Sequence, residues 1–142
     1  MGYFTPVSNV ELFELDDTNL IVSSDSATST SLTDYTDAKK ITLKLRVVPS
    51  SKFTVKFDLK NGLAGGSGVT KARLYHNNTL LSTKTQTSDA YVTQTVEVNT
   101  VNFFPNDVLT LQIKKDAGGD AYTRYFRVYA IRTPFAITQE SV

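Results

Sequence analysis

Ile41-Thr42-Leu43-Lys44-Leu45-Arg46-Val47 and Phe53-Thr54-Val55-Lys56-Phe57-Asp58-Leu59 decide the fold class, because in both an apolar residue alternates with a polar one. A period of two is the mark of a β-strand with one face in a core and the other in water. Between the two stretches, Pro49-Ser50-Ser51 is turn chemistry, so the segments are expected to form a hairpin. Further strands are expected at Thr70–Tyr75, Thr79–Gln86, Tyr91–Val98, Asp107–Lys115 and Tyr122–Arg132. Their separators are Asn61-Gly62 with Gly65-Gly66-Ser67-Gly68, then Asn77-Asn78, Ser88-Asp89, Pro105-Asn106-Asp107 and Gly118-Gly119. Thr and Val, stiff at χ1, suit a pleated surface, and no long stretch carries the helical i, i+3, i+4, i+7 spacing. The chain reads as all-β: a two-sheet antiparallel β-sandwich, jelly-roll-like, with an N-terminal acidic arm or edge strand.

Before position 40 the pattern is looser. Val10–Leu15 and Leu20–Val22 read as short strands, and Ser23–Ser31 as a low-complexity loop or an extended strand ordered by its neighbours. Residues 1–38 hold seven acids and no Lys or Arg, a charge of −7; residues 39–142 hold 15 bases and seven acids, a charge of +8. The expected organisation is therefore an arm or edge strands over 1–38 and a sandwich body over 39–142, within one structural domain. Such a split places the acidic segment against a basic surface, on its own body or on a second copy, with Glu11, Glu14, Asp16 and Asp17 as arm contacts.

Composition removes many chemistries. With no Cys there is no disulfide framework or thiolate site, and with one His there is no multi-histidine metal centre. A formal net charge of +1 gives no global attraction to nucleic acid or to an anionic membrane. The start, Met1-Gly2-Tyr3-Phe4-Thr5-Pro6, has neither a basic nor an apolar signal region, and no apolar run approaches the ~20 residues of a membrane span.

The local candidates are few. His76, before the Asn77-Asn78 turn, reads as a surface residue at a hairpin end, and the two asparagines suit a type I′ turn. The Gly62–Lys71 stretch lacks the Gly-Lys-Ser/Thr order of a phosphate loop and reads as an inter-strand loop. Asp116 and Asp120 are too few for calcium, so Lys114–Asp120 reads as a plain hairpin turn. In the last strand, strict alternation puts Tyr122, Arg124, Phe126, Val128 and Ala130 on one face, and Tyr125, Arg127, Tyr129 and Ile131 on the other. Tyrosine with arginine on an exposed sheet face stacks sugars or forms interface anchors, which makes Tyr75, Tyr122, Tyr125, Arg127 and Tyr129 the interface or ligand-stacking candidates. No catalytic, metal or cofactor residues are expected.

One longer run of features is specific. Ser51–Lys60 is followed by the Gly/Ser loop, by Ala72-Arg73-Leu74-Tyr75-His76-Asn77-Asn78-Thr79, and by a Thr-rich strand with Tyr91-Val92-Thr93. Phe104-Pro105-Asn106-Asp107-Val108-Leu109-Thr110-Leu111-Gln112 and Ala121-Tyr122-Thr123-Arg124-Tyr125-Phe126-Arg127-Val128-Tyr129 complete it. This resembles the β-sandwich domains of virion structural proteins of tailed phages and archaeal viruses, with their A-R-I-Y-x-N-G hairpin, G-D-x-I-x-L strand and final Y-V-R-N-F-R-L-Y strand. Asn78 and Asn106 stand where that pattern has Gly, and both residues tolerate the left-handed conformation. The resemblance implies a non-enzymatic virion component (capsid, decoration, turret or tail) that forms homo-oligomers or docks on other virion structural proteins. It implies a virion location after synthesis in a host cytoplasm, with no specific nucleic acid, no membrane and no cofactor. The alternative expectation is a carbohydrate- or receptor-binding β-sandwich module.

Overall fold

The structure, a computed structural model, describes residues 19–43, 53–98 and 104–130. It contains β1 (Asn19–Ser24), β2 (Thr28–Thr30), β3 (Thr36–Thr42), β4 (Phe53–Asn61), β5 (Val69–His76), β6 (Thr79–Gln86), β7 (Val92–Val98), β8 (Val108–Ala117) and β9 (Ala121–Ala130). One sheet runs β1-β9-β4-β7, with β2 also on β9, and the other runs β3-β8-β5-β6. Every pairing is antiparallel. This is a two-sheet antiparallel sandwich, and among the described residues there is no helix.

Alternation builds the core. Phe53, Val55, Phe57 and Leu59 of β4 and Phe126 and Val128 of β9 turn inward from the first sheet. Ile41, Leu43, Ala72, Leu74, Leu109, Leu111 and Ile113 meet them from the second. Phe57 and Phe126 pack edge to face, with ring centroids 6.4 Å apart and planes at 74°. Complete burial of each such ring stabilises the fold by roughly 1.5–3 kcal/mol.

Two sequence expectations change here. β3 and β4 do not form a hairpin: β3 lies on β8, while β4 lies between β9 and β7 in the other sheet. Each strand has one apolar face, and opposite sheets let Ile41 and Leu43 face the β4 side chains across the core. Turn-forming residues bend the chain equally well for a return and for a crossing. The β5–β6 hairpin is present, with His76 opposite Thr79, but only Asn77 in its turn has positive φ, at 52°, so it is not a type I′ turn. Of the two asparagines that stand where the virion pattern has Gly, Asn106 has φ 75° and Asn78 has no positive φ. The Val10–Leu15 strand and the arm contacts Glu11, Glu14, Asp16 and Asp17 lie outside the described residues. Ser23–Ser31 supplies the end of β1 and all of β2, both ordered against β9.

Two polar residues tie the layers. Lys39 is buried and donates from Nζ to Ser24 Oγ at 3.2 Å and Ser26 Oγ at 3.0 Å, joining β3 to the β1–β2 connection. Burial pushes its ammonium below the usual lysine value, opposed by Asp25. Asn61, fully buried, accepts at Oδ1 from the amides of Leu63 and Gly119, at 3.0 and 2.9 Å. Its Nδ2 donates to the carbonyls of Ala117 and Gly119, at 3.1 and 2.9 Å. The glycine loop is thereby fastened to the β8–β9 turn. A Cβ on Gly68 would run into the Asn61 amide, so glycine is required there for close approach.

Candidate functional site

The outer face of the five-stranded sheet is shaped by one irregularity. Between Lys56 and Asp58 of β4 the pairing with β9 shifts from Arg127 to Arg124, so Tyr125 and Phe126 share the space of one residue. Tyr125 takes φ 54°, a costly conformation for a bulky side chain, as the inserted residue of a β-bulge. The bulge breaks the expected alternation. Ala121 and Thr123 face inward before it, and Phe126 and Val128 after it. Tyr122 and Arg124 therefore leave the Phe126 face and join Tyr125, Arg127 and Tyr129 on the outside.

On that face each ring meets a cation. Lys60 Nζ lies 4.8 Å from the ring centres of both Tyr91 and Tyr122. The Arg124 guanidinium is 4.0 Å from Tyr91 and 4.5 Å from Tyr125, and Arg127 is 4.7 Å from Tyr125. Lys56 Nζ is 5.3 Å from Tyr129. Both arginines are also ion-paired. Arg124 Nε donates to Asp58 Oδ2 at 3.0 Å, while Asp58 Oδ1 accepts from the Thr93 hydroxyl at 2.8 Å. Arg127 grips Asp25 through Nε and Nη2, both at 2.9 Å. These bonds hold the Asp25 carboxyl below its ordinary value and the Arg127 guanidinium above its own. Burial raises the Tyr91 phenol, against the pull of Arg124.

The outer face of the four-stranded sheet is different. An open groove of about 390 Å³ is lined by Asp37, Lys40, Tyr75, Asn77, Asn78, Thr110 and Gln112. Gln112 Nε2 donates to Asp37 Oδ1 at 3.0 Å, and Lys40 lies 3.5 Å from Asp37 Oδ2. Of the described tyrosines, Tyr75 is the one with no cation over its ring. Asn77 is fixed from behind: its Oδ1 accepts from the Val108 amide at 2.9 Å, and its Nδ2 donates to Asp107 Oδ1 at 3.2 Å. Asp107 Oδ2 lies 2.7 Å from His76 Nε2. His76 is thus not the surface residue expected from the sequence; it is 7% exposed, because it ends the inward-facing set of β5.

The sequence candidates therefore divide. Tyr122, Tyr125, Arg127 and Tyr129 share one face, and Tyr75 belongs to the opposite sheet. Lys56, Asp58, Lys60 and Tyr91 complete the first face, while Asp37 and Gln112 complete the groove; sequence reasoning did not single them out. The outward phase of β4 was available as the signal for Lys56, Asp58 and Lys60. Asp116 lies 3.6 Å from Lys71 and 3.4 Å from Lys114. Among the described residues no cluster of three or more His, Cys, Asp or Glu is placed to hold a metal ion.

No family model matches the chain, and no curated protein matches it. Solved structures do. The C-terminal domain of EclA, described as a sugar-binding protein, superposes with a TM-score of 0.53 at 13% identity, over 78% of this chain and 81% of that one. The insecticidal delta-endotoxin Cry8Ea1 of Bacillus thuringiensis gives a TM-score of 0.51 at 10% identity, over 74% of this chain and 19% of the toxin. The CBM22-1 xylan-binding domain of Xyn10C from Paenibacillus barcinonensis gives 0.47 at 10% identity, over 81% and 96%. Likeness at such identities is likeness of fold. Of the virion resemblance, it is the two-sheet sandwich that the first two of these superpositions support.

Proposed function

We propose that this sandwich is a non-catalytic carbohydrate-binding module whose sugar site is the Tyr75 groove. The observation that carries the reading is a half-buried tyrosine ring with no cation over it, lining an open groove together with amides, a carboxylate, a lysine and a hydroxyl. A pyranose has an apolar C–H face that stacks on an aromatic ring and a rim of hydroxyls that both donate and accept. Gln112, Asn78, Asp37 and Thr110 supply both kinds of partner around Tyr75. The volume sits at the small end of the ~300–1,000 Å³ typical of small-molecule sites, which suits a short stretch of glycan. The fold shared with a sugar-binding protein supports the same reading.

This reverses the order of the two sequence-based readings. The virion assembly role, through sheet edges and the N-terminal arm, rests on the family resemblance, of which the structural likeness supports only the sandwich fold. Calorimetric titration with neutral oligosaccharides tests the proposal. Binding is expected, and Tyr75→Ala should weaken it at least tenfold with an unchanged circular dichroism spectrum. Absence of binding at millimolar sugar, or a Tyr75→Ala protein that binds like the parent, overturns it.

A further inference from the structure

Four strands bound the two sheets: β1 and β7 in one, β3 and β6 in the other. An exposed edge offers unpaired backbone groups to any extended chain, and proteins guard such edges with bulges, lysines or inward-pointing charges. Three of these four are guarded in that way. The β1 pairing shifts register between Leu20 and Val22. β3 shifts between Asp37 and Lys39 and buries the Lys39 side chain. β6 bulges at Leu81, between the partners of Leu74 and Tyr75, and sets Lys84 opposite fully buried Ala72. β7 has none of these devices. It pairs with β4 through seven consecutive residues without a shift, from Leu59–Val92 to Phe53–Val98, and it holds no Pro, Lys or Arg. Val92, Thr93, Thr95 and Glu97 are exposed, and among the described residues no strand pairs with its other side.

We infer that the partner of this edge is a second copy of the chain, β7 lying antiparallel on β7 about a dyad at Thr95. The strand's own sequence selects that partner. Core-side residues must meet core-side residues, and of the registers that satisfy this, the one centred on Thr95 pairs all seven. Thr95 then meets Thr95 of the second copy, a favourable cross-strand pair. On the core side, Val92, 39% exposed in one chain, meets buried Val98, and Gln94 meets Val96. The single charge of the strand, Glu97, falls opposite Thr93, so no like charges face each other. A dyad between antiparallel strands of one sheet stands perpendicular to that sheet. Both four-stranded sheets therefore lie on the same side of the joined sheet, and both Tyr75 grooves open in the same direction. That consequence rests on the carbohydrate reading: such a dimer grips a glycan-coated surface at two points, and effective concentration alone raises its apparent affinity.

The test is the mass of the full chain by sedimentation equilibrium over a range of concentrations. A concentration-dependent dimer is expected. Thr95→Lys sets two ammonium groups face to face at the dyad and should raise the dissociation constant at least tenfold. Mixing it with an equal amount of Thr95→Glu should restore the dimer, which also shows that both variants are folded. Because the chain has no cysteine, Thr95→Cys supplies a single thiol. Residues opposed on antiparallel strands have Cα atoms ~4.5–5.5 Å apart, within disulfide reach, so mild oxidation should lock the dimer. A parent that stays monomeric overturns the inference, and slow hydrogen exchange of its β7 amides would then assign the edge to another segment of the same chain. A dimer indifferent to Thr95→Lys belongs to another surface and overturns it as well. Neither readout involves sugar, so the pairing can fail while the groove binds, and the reverse.

Discussion

On the outer face of the five-stranded sheet, Tyr91, Tyr122, Tyr125 and Tyr129 each rest against a lysine or arginine, whereas on the four-stranded sheet the half-buried Tyr75 lines a groove with no cation over its ring. The same residue type is used in two ways. Where rings and cations alternate, they hold one another in position and present a firm, positively charged strip. Where the ring stands alone among amides, its face is left for a guest. Tyrosine count alone therefore does not locate a sugar site; what lies over each ring does.

The most damaging change to the five-stranded sheet is to empty it from behind: Phe126→Ala removes a fully buried ring packed edge to face on Phe57 and should cost about 3–5 kcal/mol in urea denaturation. Deleting Tyr125 instead removes the bulge and leaves Ala121, Thr123, Phe126 and Val128 inward in one continuous alternation, so the cooperative thermal transition should survive, and its loss would contradict the two-phase description of β9. A smaller change compares the carboxylates of the two faces. Asp58→Ala removes the acceptor of Arg124 and Thr93 at a nearly buried site and should cost about 2 kcal/mol in urea denaturation. Asp37→Ala, whose side chain is 52% exposed beside Lys40, should cost less than about 1 kcal/mol while weakening sugar binding.

The smallest effect is one of pH. Burial disfavours the charged Asp107 carboxylate, but bonds from His76, the Phe104 amide and Asn77 outweigh it and leave its pKa below the ordinary 3.8. A depressed carboxyl stabilises the fold above its unfolded value and ceases to do so as pH falls through the folded one. The melting temperature should therefore decline below pH 3.8, with Asp107→Asn showing a flatter decline. Because Asp107 holds Asn77, groove binding should weaken in the same range.

Much of this was legible in the chain. Alternation in Phe53–Leu59 gave the correct inward set, whereas Thr70–Tyr75 was read only as a strand, with Tyr75 a stacking candidate whose outward side the fold supplies. The turn residue Asn106 was likewise readable from its tolerance of positive φ. The partner of β3 was not, because turn chemistry records that a chain bends and not which sheet it enters next. Nor was the bulge: Tyr125 offers no glycine to advertise a left-handed residue, and the contacts that hold it there come from Arg124 and Arg127 through the fold. The pairing of His76 with Asp107 was hidden for the same reason, since it joins residues 31 positions apart.

The bulge has a consequence for anyone building a mutant library on this protein. Along β9 the tolerant positions change parity. Up to Thr123 the odd-numbered residues are sealed and the even ones outward, while from Phe126 to Tyr129 the even-numbered ones are sealed and the odd ones outward. A library that diversifies every second residue in a single frame would recolour the surface over half the strand and demolish the core over the other half. Split at position 125 into two frames, the same design would leave the sandwich intact and vary the whole outward strip of side chains.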